Sequence, residues 1–155
     1  MGFDVHPFAA GRPLVLGGVE VPTERGLAGH SDADALTHAV ADALLGALAL
    51  GDLGRHFPDS DPHYRGISSQ VLLGEVVARV RAAGGRVVNV DATIVAESPR
   101  LAEWLPGMQK ALAATLGLTV ERVSVKAKRA EGLGALGRHE GIAAMAVALV
   151  EVPDE

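Results

Sequence analysis

Apolar and polar positions alternate along residues 1–7, which reads as a short strand with Asp4 and His6 on one face. PLVLGGVEVP (13–22) holds two β runs joined by Gly17-Gly18, a hairpin signal. ERGLAGHSD (24–32) is a polar, glycine-punctuated loop. From Ala33 to about Leu50 the period becomes helical, with Asp32 as N-cap. Leu36, Val40, Leu44, Ala47 and Leu48 form one stripe and alanines cover much of the rest, so only the line Asp34, His38, Asp42 is polar. A helix this apolar belongs in the core or against another subunit. GDLGRHFPDSDPHYRG (51–66) is a loop of a length that is often functional. Ser68 caps a second helix that ends near Gly84-Gly85, and RVVNVDATIVAE (86–97) is a β run. Pro106 fits the first turn of a third helix, which Gly117 closes. Two more β runs, 123–130 and 141–152, flank GLGALGRHEG. The order β-ββ-α-α-β-α-β-β predicts an α+β sandwich, a mixed β-sheet with three helices on one face. The other face, rich in Ala and Val, then needs a cover, which oligomerisation supplies.

A length of 155 residues fits one domain spanning 1–155. Apolar residues make up 48% but aromatics only 3%, so small side chains pack the core and permit close approach of its elements. There is no cysteine, which excludes disulfides and thiolate metal sites and fits a reducing compartment. No apolar run is long enough to span a membrane and no leader is apparent, so the expectation is a cytoplasmic protein with no membrane partner. The formal charge of −5 argues against a nucleic-acid partner.

Two constellations carry candidate chemistry. Asp4, His6 and His38 would make a carboxylate plus two imidazoles, a donor set for Zn²⁺, Fe²⁺ or Mn²⁺. In that case Asp34 or Asp42 would fix the His38 ring from behind. The plainer reading is a solvated Asp–His stripe worth about 0.2–0.5 kcal/mol per pair. The second constellation suits phosphate. His30-Ser31-Asp32 runs into a helix start, where free N–H groups favour an anion. Lys126, Lys128, Arg129 and Arg138 lie among glycines later on, with Glu131 and Glu140 as oxygen ligands for a hard metal. On spacing alone, a non-haem iron oxygenase and a non-catalytic metal- or nucleotide-binding module compete with a phosphate-processing enzyme.

GFDVH (2–6), the block from Gly29 to Pro62 and EGLGALGRHEGIA (131–143) resemble the 2-C-methyl-D-erythritol 2,4-cyclodiphosphate synthase family, over Gly2 to about Val150. The resemblance implies an enzyme of non-mevalonate isoprenoid biosynthesis, a phosphorus–oxygen lyase. It would cyclise 4-diphosphocytidyl-2-C-methyl-D-erythritol 2-phosphate to 2-C-methyl-D-erythritol 2,4-cyclodiphosphate and release CMP. It further implies a homotrimer whose sheets face a central axis, with sites between neighbouring subunits. Asp4, His6 and His38 match the family's zinc ligands, and Asp4 and His6 also match substrate-contacting positions. His30 and Ser31 match contacts to phosphate and methylerythritol, and His30 and Arg129 fall at catalytic positions. Asp52, Leu53 and Gly54, with Phe57, Pro58, Asp59, Ser60 and Asp61, match the loop around the methylerythritol unit. The segment from Ala96 to Ala102, Pro99 included, matches part of the cytidine diphosphate site, as do Lys128, Arg129 and Ala130. Glu131 matches the ligand of a second ion, Mg²⁺ or Mn²⁺, on the diphosphate. Ala135 and Arg138 match further substrate-linked positions. The chain departs from the pattern in four respects. Lys128-Arg129-Ala130-Glu131 replaces Thr-Thr-x-Glu, Ala135 an aromatic, and Ala33 a glycine, and the late start implies a short first strand.

Overall fold

The computed structural model describes residues 1–153, so positions 154 and 155 of the expected domain lie outside the described residues. Its strands are β1 (Gly2–Ala10), β2 (Leu14–Leu16), β3 (Val19–Val21), β4 (Arg25–Leu27), β5 (Arg86–Val95), β6 (Val123–Lys128) and β7 (Gly141–Glu151). The helices are α1 (Ala35–Ala47), α2 (Leu53–His56), α3 (Ser69–Ala82), α4 (Leu105–Leu116) and α5 (Gly134–Gly137). The main sheet runs β4-β1-β7-β5-β6, antiparallel except for the parallel pair β5–β6, and β2–β3 form a separate hairpin. This is the mixed α+β layout expected, but with five helices rather than three, since α2 and α5 add single turns; α1 packs on β1, β7 and β5 with α3 beside it.

Leucines 36, 44, 45, 73, 112 and 116, with Ile94, Met108 and Ile142, are fully buried between helices and sheet. Close approach of β1 to α1 rests on one glycine. A Cβ on Gly2 would lie 2.0 Å from Ala39 O and 2.6 Å from Ala43 N. Gly2→Ala must therefore push the strand off the helix, and about 2 kcal/mol of stability is expected to be lost, read in a urea titration. The other face of the sheet stays open. Phe3, Val5, Met145, Val147 and Leu149 are 41–58% exposed, and Phe3 lies opposite Met145 across the β1–β7 pair.

Four expectations need correction. First, α1 starts at Ala35 with Asp34, not Asp32, as N-cap. Asp34 is also no part of a polar stripe: it is fully buried, and its carboxylate accepts hydrogen bonds from Gly17 N, Gly18 N, Thr37 N and Thr37 Oγ1 at 2.6–2.9 Å. It thereby pins the hairpin to the helix. The network continues as Gln70 Nε2 donates to Thr37 Oγ1 (3.0 Å) and Thr115 Oγ1 to Gln70 Oε1 (2.6 Å), so α1, α3 and α4 share one polar chain. Second, the loop 24–32 contains β4. Third, the loop 51–66 contains α2 and a 3-10 turn at Pro62–Tyr64. Fourth, β1 has nine residues rather than being short. The cap at Ser68, Pro106 in the first turn of α4, and Gly117 (φ 69°) as its left-handed stop are where they were expected. Ala33 sits at φ 57°, a left-handed conformation that glycine adopts without strain.

A candidate metal centre and two clefts

Strand β1 holds Asp4 and His6 on its inner face, and α1, drawn against it at Gly2, presents His38 beside them. Asp4 Oδ2 lies 2.9 Å from His38 Nδ1 and 2.9 Å from His6 Nε2, and the two ring nitrogens are 3.4 Å apart. Among the described residues this is the one set of three carboxylate or imidazole groups whose ligand atoms fall within 4.8 Å of one another. The group can therefore hold a metal ion. His6 Nδ1 lies 2.7 Å from Ala28 O, and a carbonyl only accepts. In the neutral ring that nitrogen therefore carries the one proton and Nε2 is left as the lone pair a cation would take, whereas a second proton on Nε2 makes the hydrogen bond to Asp4 in the metal-free protein. Burial raises the Asp4 carboxyl, but hydrogen bonds to His38 and His6 and their charge outweigh it, holding it below the usual carboxylate range. His6 moves up, chiefly through its hydrogen bond to Asp4.

The expected support for His38 lies elsewhere. Asp34 faces the hairpin, and Asp42 accepts from Leu53 N at 2.8 Å, tying α1 to α2. The far nitrogen of the ring, Nε2, instead meets Ser69 Oγ at 2.8 Å and Ser31 Oγ at 3.3 Å. The anion site expected at the start of α1 is also filled, because Asp34 supplies its own carboxylate to Thr37 N there.

A cleft of about 400 Å³ opens over the triad. Gly29, His30, Ser31, Asp52, Leu53, Gly54, Phe57 and Asp59 line it together with Asp4, His6 and His38. Asp42, Tyr64 and Leu72 complete the wall, and Tyr64 packs edge-on to Phe57 at 5.4 Å. Ser60 lines an adjoining groove, Asp61 caps the turn at 62–64 through His63 N, and exposed Pro58 lines neither cleft. Arg12, which sequence reasoning missed, donates to Gly29 O (2.7 Å) and Ser31 O (2.5 Å) and so clamps the loop that carries His30.

A second cleft of about 540 Å³ is lined by Ala96, Glu97, Pro99, Leu101, Lys128 and Arg129, among others, and shares no residue with the first. Arg129 is not a free cation. Its Nε and Nη2 both donate to Glu97 Oε1, while Glu97 Oε2 accepts from Ala130 N (3.1 Å) and Gly132 N (3.5 Å). The Glu97 side chain is only 4% exposed, and its hydrogen bond to Arg129 holds its carboxyl below the ordinary range. This clasp shapes the turn at Glu131, which is exposed at φ 54°. Ala135 and Arg138 line neither cleft, and Arg138 pairs with Glu140 at 2.7 Å. Lys126 is paired with Asp91.

The YgbB family model matches residues 1–151. The chain is 61% identical over 150 residues to the 2-C-methyl-D-erythritol 2,4-cyclodiphosphate synthase of Laribacter hongkongensis, covering 97% of this chain and 93% of that one. It is 58% identical to the enzyme of the same name from Burkholderia ambifaria, covering 96% and 92%. Among solved structures, a CDP-bound form of 2C-methyl-D-erythritol-2,4-cyclodiphosphate synthase superposes with a TM-score of 0.89 at 37% identity, over 97% of both chains. The bifunctional IspDF from Campylobacter jejuni superposes at 0.94 with 41% identity, over 99% of this chain but 42% of that longer one.

Proposed function

Because the chain belongs to the YgbB family, we infer that it acts as a 2-C-methyl-D-erythritol 2,4-cyclodiphosphate synthase, closing 4-diphosphocytidyl-2-C-methyl-D-erythritol 2-phosphate into the cyclic diphosphate with release of CMP. The observation that carries this reading is the Asp4–His6–His38 group on the wall of a cleft that also holds His30, Ser31 and Asp52. In the reaction an oxygen of the 2-phosphate bonds to the β-phosphorus, and the bond to the α,β-bridging oxygen breaks. That oxygen leaves on CMP with the electron pair. The nucleophile is already anionic, so the protein needs no general base. Its task is to align two phosphates that repel each other.

The donor set fits zinc: two neutral imidazole nitrogens and one carboxylate oxygen, with room for a further ligand from the cleft. When bound there, zinc neutralises phosphate charge and polarises a phosphoryl oxygen. His30 and Ser31, held by Arg12, contact the phosphate and the methylerythritol unit. The carboxylates of Asp52 and Asp59 accept from the diol hydroxyls, and Phe57 and Leu72 keep water from that end. In the second cleft Lys128 faces the cytidine diphosphate portion. Arg129, clasped by Glu97, keeps the turn that carries Glu131 in place. Glu131 would hold a magnesium or manganese ion, which would supply positive charge against the diphosphate.

The two clefts share no lining residue, which accords with a substrate held between two copies of the chain. The open stripe of Phe3, Val5, Met145, Val147 and Leu149 supports a trimer closed on that face. Val147→Glu is expected to turn a three-subunit particle into monomers in analytical ultracentrifugation and to remove turnover with it. A cytoplasmic location accords with bacterial relatives named as biosynthetic enzymes and with a chain free of cysteine.

One rival reading has an observation behind it. Pairing Arg129 with Glu97 uses up the group that would replace the family's threonine hydroxyl, as in a protein that binds cytidine nucleotide without turning it over. Incubating the protein with substrate, zinc and magnesium, and following phosphorus by NMR, separates the two. Equal release of CMP and cyclic diphosphate is expected. Nucleotide binding with no new phosphorus signal would favour the rival.

A further inference from the structure

Outside the ligand set, one buried hydroxyl stands between a metal-facing imidazole and a carboxylate. Ser69 begins α3 and is fully buried. Its Oγ lies 2.8 Å from His38 Nε2 and within hydrogen-bond distance of Asp32 Oδ1, while its backbone N–H donates to Asp32 Oδ2 at 2.8 Å. Asp32 also accepts from Asp34 N at 3.2 Å, so its position is set from two sides. Ser68, next in sequence, does the ordinary work of capping α3 through Gln70 N. The buried neighbour is free for another task.

We propose that Ser69 and Asp32 are positioning residues that fix the His38 tautomer, so that Nδ1 faces a divalent cation with its lone pair. Each hydrogen bond forces the next. A carboxylate has only acceptors, so the single Ser69 hydroxyl proton goes to Asp32. The Ser69 oxygen is then left to accept, and the group facing it, His38 Nε2, must carry a hydrogen. The neutral imidazole that binds a cation has one N–H, so in that state Nδ1 is bare and the Asp4 oxygen beside it turns to the cation instead of to a ring proton. That nitrogen is the one 2.9 Å from Asp4 Oδ2 and 3.4 Å from His6 Nε2. Ser31 Oγ, at 3.3 Å from Nε2, is the weaker acceptor and already takes Ala33 N–H at 3.2 Å. His6 reaches the complementary state by a different route, with Nδ1–H on Ala28 O and Nε2 bare. The two imidazoles thus present opposite nitrogens to one point, and two acceptors from different parts of the chain set the choice. Partners of this kind behind a metal-bound histidine raise its basicity and hold its ring, and losing one costs about 10–100-fold in metal affinity.

The inference rests on the metal-binding reading of Asp4, His6 and His38, and its test distinguishes the two. Zinc affinity is measured by competition with a chromophoric chelator on the full chain, for wild type, Ser69→Ala and Asp32→Asn. The visible spectrum of each cobalt(II)-loaded form is recorded as well. Ser69→Ala keeps the backbone bond to Asp32, and Asp32→Asn keeps the shape but sets an amide hydrogen against one of its donors. Both variants are expected to bind zinc about 10–100-fold more weakly and to show altered cobalt d–d bands, with metal-free thermal midpoints near wild type for Ser69→Ala. Wild-type zinc affinity and an unchanged cobalt spectrum in a folded Ser69→Ala would overturn the role of the relay and leave the metal site standing. Failure of the wild-type chain to bind either ion would overturn both.

Discussion

Replacing His38 by alanine is expected to abolish stoichiometric zinc binding and to lower kcat/KM for CMP release on the order of 10³-fold or more. The size follows from the chemistry. Two phosphate groups must come within bonding distance, and the charge between them is the chief barrier. His38 Nδ1, Asp4 Oδ2 and His6 Nε2 converge on one point, and no other such group exists among the described residues to substitute. His38 points into the cleft from α1 with its side chain 15% exposed, so truncation removes a ligand without opening the leucine core. Circular dichroism should stay native while metal analysis falls to background. Retained zinc with normal CMP release would refute the assignment.

The second large effect is on stability. Asp34→Ala is expected to cost about 3–5 kcal/mol, a sizeable part of a typical domain's total. The carboxylate receives four donors in a fully buried place, and alanine would leave the Gly17, Gly18 and Thr37 amides without an acceptor. It would also remove the N-cap of α1, worth about 1 kcal/mol of that sum. Burial pushes the Asp34 carboxyl up, and only these donors oppose the shift. Asp34→Asn, which keeps the shape, should lose less. Urea unfolding with an unchanged m-value reads the difference, and a loss below about 1 kcal/mol for the alanine variant would contradict the pinning role.

Much of this molecule was legible in its sequence where signals are local. Ser68, Pro106 and Gly117 mark helix ends because capping, a fixed φ and a left-handed stop each act within one turn. Gly17-Gly18 marked the hairpin in the same way. Asp4, His6 and His38 could be grouped because strand alternation aligns two of them and only one histidine lies on the apolar helix. What was missed is decided at a distance. Asp32 and Asp34 are equally good caps by type, and hairpin amides 16 and 17 residues away from Asp34 select it. Asp32 then turns to Ser69, 37 positions on. Glu97 lies in a β-like run and acquires meaning only when Arg129, 32 positions later, folds onto it. Leu72 and Tyr64 line the cleft, yet an apolar residue in an amphipathic segment looks the same whether it faces core or ligand. Elements of three or four residues such as β4, α2 and α5 are too short to show a period.

Crystals of the zinc-loaded protein, measured on both sides of the zinc absorption edge, address the central claim directly. The account predicts one strong anomalous peak per chain, about 2.0–2.2 Å from Asp4 Oδ2, His6 Nε2 and His38 Nδ1. Clear density for those three side chains with no peak between them, under saturating zinc, would contradict it.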